Sequence, residues 1–355
     1  MALAATAYSI PAPLMCEQRS EEQLLEEILA GLRQRPKRVA PVRLHDERAA
    51  ALYDRLCGTT EYYLARAELA LIDARAQRIA AHIGPGAALI EFGAGTSLKA
   101  RVLLDEMENP LAYVPVDVAR TPLIAAARTL AARFPSLAVK PVCADFTRAF
   151  VMPREIEEID RRVVYLSGAM LNRFRPEAAA ELLQLMHLVA GEDGAVLIGI
   201  DLEHDAITLE RAHNDSAGVG AELNRNVLRH LNHRFDANFD LRRFLHRAVW
   251  IEDEARVELG LVSECDQSVA LGEAEIAFAE GEQLLTGSAY RYSPELLAEV
   301  AGEAGLGLQS AWSDDSSHFS VQLLEPVNQG TSRQAPGVPD AGLLLPGRLG
   351  NAPAF

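Results

Sequence analysis

The chain has 355 residues, 49% of them hydrophobic and 24% charged, enough to bury a full core in two compact units or in one domain with a large insertion. Fifty acidic against 34 basic side chains give a formal charge of −16, and no stretch holds a dense Lys/Arg cluster, which argues against a nucleic-acid partner. No apolar run approaches the ~20 residues needed to cross a bilayer, so no membrane partner is expected either.

Residues 1–19 are small and apolar, lack a basic start and are interrupted by Pro11 and Pro13; they read as a loose arm, not a signal peptide. Cys16, Cys57, Cys143 and Cys265 lie far apart without a CxxC pair, which fits reduced thiols in a cytoplasmic protein better than a disulfide framework or a zinc site. Residues 20–35 show helical apolar spacing behind Ser20, a good N-cap. After Pro36 and Pro41 a helical region runs from Leu52 to Ile83, where Gly84, Pro85 and Gly86 end it.

From there short β-branched runs alternate with amphipathic stretches. Residues 88–92, 112–116, 138–142, 162–166 and 195–200 read as buried strands, with helices predicted over 97–107, 122–134 and 176–189. That alternation predicts an α/β fold with a mostly parallel, doubly wound sheet. The rhythm stops near Asp201. Polar helices and then strand-like segments fill 203–291, and a helix and closing strand follow. The simplest division is a core of 68–202 plus 292–326, a second α+β unit of 20–67 plus 203–291 for the substrate, and a Gly/Pro-rich disordered tail over 327–355.

The first strand of the core runs into Gly93, Ala94, Gly95, Thr96 and Ser97 ahead of a helix. Glycines let backbone approach a ligand closely, and the helix start offers free N–H groups. A GxG turn alone is weak, since many such turns use glycine only for tightness. Here Asp117 ends the next strand, where a carboxylate can accept ribose hydroxyls. Asp145 and Phe146 end the third, where an acid can take an adenine amine and a ring can pack on the purine. Acids aligned on one sheet edge fit nucleotide binding there. The loop lacks the third glycine of the dinucleotide fingerprint, with Ala100 a loose substitute, which favours S-adenosylmethionine (SAM) over NAD.

The segments EYYLARAE (61–68), LIEFGAGTSLKARVLLDEM (89–107), YVPVDV (113–118), CADF (143–146), GVGAELNRNVL (218–228), ANFDLRRFLHRAVW (237–250) and AWSDDSSHFSVQLL (311–324) resemble the histidine Nα-methyltransferase family of ergothioneine biosynthesis, in the same order over about residues 20–325. The resemblance implies a Rossmann-like SAM-dependent methyltransferase core with a split second domain, acting on a small molecule as a monomer. It implies that Gly93, Gly95, Lys99, Asp117, Asp145 and Phe146 hold SAM and that Tyr62 contacts the substrate.

On the substrate side the chain departs from the family. Family tyrosines fall on His213 and His45, and an acid becomes Asn214. The Thr-Glu-x-Ser strand that reads the imidazole is Thr286, Gly287, Ser288 and Ala289, so both polar readers are lost at Gly287 and Ala289. The family asparagine falls on Asn172 or, with the other gap placement, on Arg173; we place it at Asn172. A site built to bond a polar ring rejects ligands that cannot bond back, and removing its readers removes its preference for histidine. The expected reaction is methyl transfer, at nitrogen, to another amino acid or a biosynthetic intermediate. In it Tyr62 and Asn172 orient the nucleophile, His213 accepts its proton and no metal takes part. The alternative is a non-methylating protein that keeps the SAM pocket, for instance for an intramolecular ring closure or as a partner subunit.

Overall fold

The computed structural model describes residues 20–39, 46–314 and 318–327; the loose arm over 1–19, His45 and nearly all of the tail lie outside them. The N-terminal segment forms α1 (Glu21–Leu32), β1 (Lys37–Arg38), α2 (Glu47–Cys57) and α3 (Leu64–Ile83). Ser20 caps α1 by accepting from Gln23 N. The single helical region expected from Leu52 to Ile83 is broken over 58–63. There the Arg66 guanidinium donates to the carbonyls of Cys57 (3.2 Å), Thr59 and Thr60 (2.7 Å), satisfying the last orphan C=O of α2 and two carbonyls of the connecting turn.

The core continues through β2 (Ala88–Phe92), α4 (Leu98–Glu106), β3 (Ala112–Asp117), α5 (Arg120–Arg133), β4 (Ala138–Val139) and β5 (Val142–Cys143). It goes on with α6 (Arg154–Glu157), β6 (Arg162–Leu166), α7 (Gly168–Leu171), α8 (Pro176–Ala190) and β7 (Ala195–Asp201). One strand was expected over 138–142. Pro141, which has no N–H to give to a ladder, separates two short pieces that both pair with β3.

Beyond Asp201 come α9 (Ala206–His213), α10 (Val219–Phe235), β8 (Phe244–Ile251), β9 (Arg256–Ser263), β10 (Gln267–Leu271), β11 (Ala274–Phe278) and β12 (Gln283–Tyr290). The chain closes with α11 (Pro294–Glu303), β13 (Leu306–Ser313) and β14 (Phe319–Pro326). An eight-stranded sheet runs β13-β14-β7-β6-β2-β3-β4, with β5 also on β3. Its strands are parallel except β14, which is antiparallel to both neighbours. β1, β12, β9 and β8 make a separate four-stranded sheet, and β10 pairs with β11.

Successive residues of β2 point to opposite faces. Ala88, Ile90 and Phe92 join one core with α8 and α11, while Leu89 joins the other beneath α3 and α4. Both faces are covered, which is why the central strands read as continuous apolar runs. A third core gathers α1, α10 and the smaller sheets around Phe239, Phe244 and Phe278. No helix among the described residues is long and apolar enough to cross a membrane. Among the described residues Cys57 and Cys265 are free thiols.

Candidate active site

β2 delivers the chain to the carboxyl edge of the parallel sheet, where the loop 93–97 turns into α4. Gly93 (φ +71°), Gly95 (φ +50°) and Ser97 (φ +56°) all adopt left-handed backbone, uncommon for a serine and a sign of local constraint. Ser97 is fixed by the Tyr113 hydroxyl, 2.7 Å from its Oγ. The two glycines differ in what surrounds them. A Cβ on Gly93 would lie 2.5 Å from Met170 Cε, whereas one on Gly95 would meet nothing within 4 Å. Gly93 seals the loop onto α7; Gly95 faces open space.

Asp117, at the end of β3, stands beside that space. Its Oδ2 accepts from Gly95 N (3.3 Å) and its Oδ1 from Ala119 N (2.9 Å). Asp145 Oδ1 accepts from Thr147 N (3.0 Å) and Oγ1 (2.6 Å), leaving Oδ2 with only a distant Arg148 (3.9 Å). The buried Phe146 ring stacks on Phe92, centroids 5.3 Å apart. Lys99 turns inward: its Nζ donates to Glu68 Oε2 at 2.7 Å, with two further N–H bonds left to give.

Glu68, the last residue of the EYYxxRxE segment, received no role in the sequence reading. It is 0% exposed and takes three donors: Lys99, the Tyr165 hydroxyl (2.8 Å) and Gly168 N (3.1 Å). A Cβ on Gly199 would lie 2.3 Å from its Oε1, so β7 stays bare to admit it. Glu91, on β2, was missed as well. Burial raises its carboxyl to about 8, against the Tyr113 hydroxyl bond at 2.5 Å and the charge of Lys99; it is protonated at neutral pH. Both acids sit inside stretches that read simply as helix and strand, and only burial sets them apart.

On the other side of α7 lies an aromatic cluster. Tyr62, 4% exposed, meets the rings of Tyr53 and His213 edge-on, each centroid 6.0 Å away. Its hydroxyl is 3.4 Å from that of Tyr53, and burial pushes its pKa up to about 12, so it remains a donor. His213 ends α9. Its Nε2 is buried with no partner among the described residues, and burial, with the neighbouring His246, lowers the ring to about 4. A histidine free of its surroundings would titrate near neutral pH; this one stays uncharged and holds a proton weakly. His246 donates from Nε2 to His213 O (2.9 Å) and faces Asn224 Nδ2 through Nδ1 (2.9 Å).

This burial has a pH consequence. The unfolded ring takes its proton near 6.5 and the folded one near 4, so stability holds above about 6.5 and declines as the pH falls through that window, by at most about 3 kcal/mol. A His213→Phe variant is expected to lose less Tm between pH 7 and 4.5 than the unaltered protein. Parallel slopes would show that the ring is not held neutral.

Asn172 is 2% exposed and bound on every side. With its carboxamide oxygen toward Arg291 Nη1 (3.2 Å), its nitrogen donates to Gly168 O (3.1 Å) and Tyr290 O (3.2 Å), ties that pin the end of β12 to α7. Arg291 forms a buried ion pair with Asp201 at the end of β7, and Tyr63 donates to the same carboxylate oxygen at 2.7 Å.

On β12 the register slips between Leu285 and Gly287, and Thr286 Oγ1 is buried without a partner among the described residues. Gly287 and Ala289 face Leu259 and Val257 of β9, and Ala289 packs among Leu209, Ala248 and Val257. Leu209 lies on α9, the helix that carries His213. Ser288 Oγ accepts from Arg256 Nη1 (2.8 Å), and Asn214 Nδ2 donates to the β8 carbonyl of Ala248 (3.0 Å). The structure therefore brings Tyr62 and His213 into contact, with Asn172 joined to the end of β12. Gly287 and Ala289 offer no polar side chain.

Residues 24–326 match the model of the histidine-specific, SAM-dependent methyltransferase family. The histidine N-alpha-methyltransferase of Mycolicibacterium smegmatis is 34% identical over 307 residues, 85% of this chain and 94% of that one. Its namesake from Mycobacterium tuberculosis is 31% identical over 305 residues, with 84% and 94% covered. The N-methyltransferase fsqC of Aspergillus fumigatus is 24% identical over 312 residues, with 85% and 84% covered. A family match across most of the chain, with close relatives over nearly their full length, makes this chain a member of the histidine-specific, SAM-dependent methyltransferase family.

Proposed function

We propose that this methyltransferase places the methyl group of SAM on the nitrogen of a small amino acid, or of a molecule derived from one, and that histidine is not its acceptor. The observation that carries the proposal is the run Thr286 to Ala289. The strand that would read an imidazole presents a glycine and an alanine, the latter packed among apolar side chains. A relative named as an N-methyltransferase supports nitrogen as the receiving atom.

The cofactor side fits SAM. The open face at Gly95 admits a ligand that a side chain would exclude, and Gly93 closes the turn behind it. Asp117 would offer its carboxylate to the ribose, and Asp145 and the Phe146 ring would hold the adenine. Lys99, braced by Glu68, presents its remaining N–H groups to the methionyl carboxylate. SAM supplies an electrophilic methyl on a sulfonium, so the protein's task is to align a neutral amine and keep water out. Tyr62, a hydroxyl donor at all physiological pH, orients the acceptor. Neutral His213 accepts a hydrogen bond from the amine N–H at Nε2. Asn172 acts one step removed, by fixing Arg291 and the end of β12.

The test is the formation of S-adenosylhomocysteine by purified protein over a panel of amino acids and amines. Turnover is expected with a member other than histidine, at a kcat/KM about 10- to 100-fold above that for histidine, the range a pocket without polar readers can discriminate. Efficient histidine methylation would overturn the proposal.

A further inference from the structure

α7 stands between two halves of the site. Met170 faces the cofactor loop, 2.5 Å from where a Cβ on Gly93 would lie, while Ala169 packs against the cluster that holds Tyr62, Leu64 and Ala212. The turn continues past α7, with Arg173 N bonded to Met170 O at 3.1 Å, which carries Arg173 one turn on from Ala169. Arg173 is half-buried as a residue and its side chain makes no hydrogen bond or ion pair with any described residue. Its charge reaches both tyrosines, opposing the upward displacement that burial gives Tyr53 and Tyr62.

The other cations of the site are matched: Arg291 by Asp201 and Lys99 by Glu68. Arg173 therefore leaves the Tyr62 side with one positive charge in excess, next to two hydroxyl donors and the unpartnered His213 Nε2. A half-buried arginine without a counter-ion is costly unless a ligand supplies one, and its planar fork matches a carboxylate in two parallel bonds.

We propose that Arg173 is a specificity-determining residue that binds the carboxylate of the acceptor, so that the enzyme takes amino acids and rejects the corresponding decarboxylated amines. This rests on the methyltransferase reading above and sharpens its substrate class. SAM also carries a carboxylate. Arg173 is assigned to the acceptor because it follows the tyrosine side of α7, whereas Met170 covers the cofactor side.

The deciding experiment is calorimetric titration of the protein saturated with S-adenosylhomocysteine, with the α-amino acids and their decarboxylated amines as probes. Binding is thus read without requiring methyl transfer. At least one acid is expected to bind, its amine to bind at least about 100-fold more weakly, and Arg173→Gln to erase that difference. SAM affinity is expected to stay within about threefold of the unaltered protein. Arg173→Lys, which keeps the charge but not the fork, is expected to recover part of the acid preference. Three outcomes overturn the proposal: no acid binding better than its amine, an Arg173→Gln variant that still prefers the acid, or a variant that loses SAM and keeps the acid. Acid binding through Arg173 without any methyl transfer would instead leave the proposal standing and count against the methyltransferase reading.

Discussion

Replacing Gly95 by arginine is expected to abolish binding of SAM and S-adenosylhomocysteine while the protein stays folded. The two effects separate because of where Gly95 sits. Its φ of +50° costs a non-glycine residue about 1–2 kcal/mol, which a protein of this size tolerates. Apart from its chain neighbours, no described residue comes within 4 Å of a Cβ built there, so the branch point of the new side chain meets no packed neighbour. It fills instead the space beside Asp117. Calorimetry should show no cofactor heat at concentrations where the unaltered protein saturates, and far-ultraviolet circular dichroism should be unchanged. Cofactor binding retained within tenfold would mean that the pocket lies elsewhere. Gly93→Ala is the instructive contrast. Its Cβ meets Met170 at 2.5 Å, so it should lower stability as well as affinity.

Glu68→Ala is expected to give the largest loss of stability of any single substitution discussed. Removing this carboxylate strands Lys99 Nζ, the Tyr165 hydroxyl and Gly168 N together. Breaking a buried charge pair costs about 3–5 kcal/mol. The lower end applies here, because Lys99 is 18% exposed and can reach water. For a chain of this size that corresponds to a fall in Tm of about 4 °C. Glu68→Gln keeps an oxygen acceptor, so it should lose less stability while still weakening the hold on Lys99. A split between the two variants, with SAM affinity reduced in both, would mark Glu68 as a positioning residue. A change below about 2 °C in Glu68→Ala would show that the cluster contributes little.

Much of the core was readable in the sequence because its strands are buried on both faces and so appear as apolar runs with hard boundaries. The stretches 88–92 and 162–166 form strands with those limits, and the glycine loop lies where strand gives way to helix. What escaped depended on partners distant in the chain. Arg66 breaks the expected long helix by reaching back to carbonyls at 57, 59 and 60, and no local pattern announces that. The Asp201–Arg291 pair joins residues 90 positions apart, and Glu68 meets Tyr165 across 97. The electrostatics were equally hidden. His213 looks like a neutral-pH proton acceptor by residue type, yet its burial places it near 4. Arg173 looked like one side of an alignment ambiguity, and only its lack of a counter-ion gives it a role.

The position of β14 has a consequence for how the chain comes off the ribosome. This strand, at 319–326, does not sit at the rim of the large sheet. It lies between β13 and β7, pairing with both. Until it emerges, one whole edge of β7 has no hydrogen-bond partner, and the apolar layer that Phe319, Val321 and Leu323 complete beneath α3 stays open. A chain released only as far as α11 would thus hold a Rossmann-like half whose strand β7 lacks a partner on one edge. Unpaired strands of this kind template aggregation. Capture of β14 between β7 and β13 therefore closes the large sheet on that side and covers the edge that would otherwise invite misassociation.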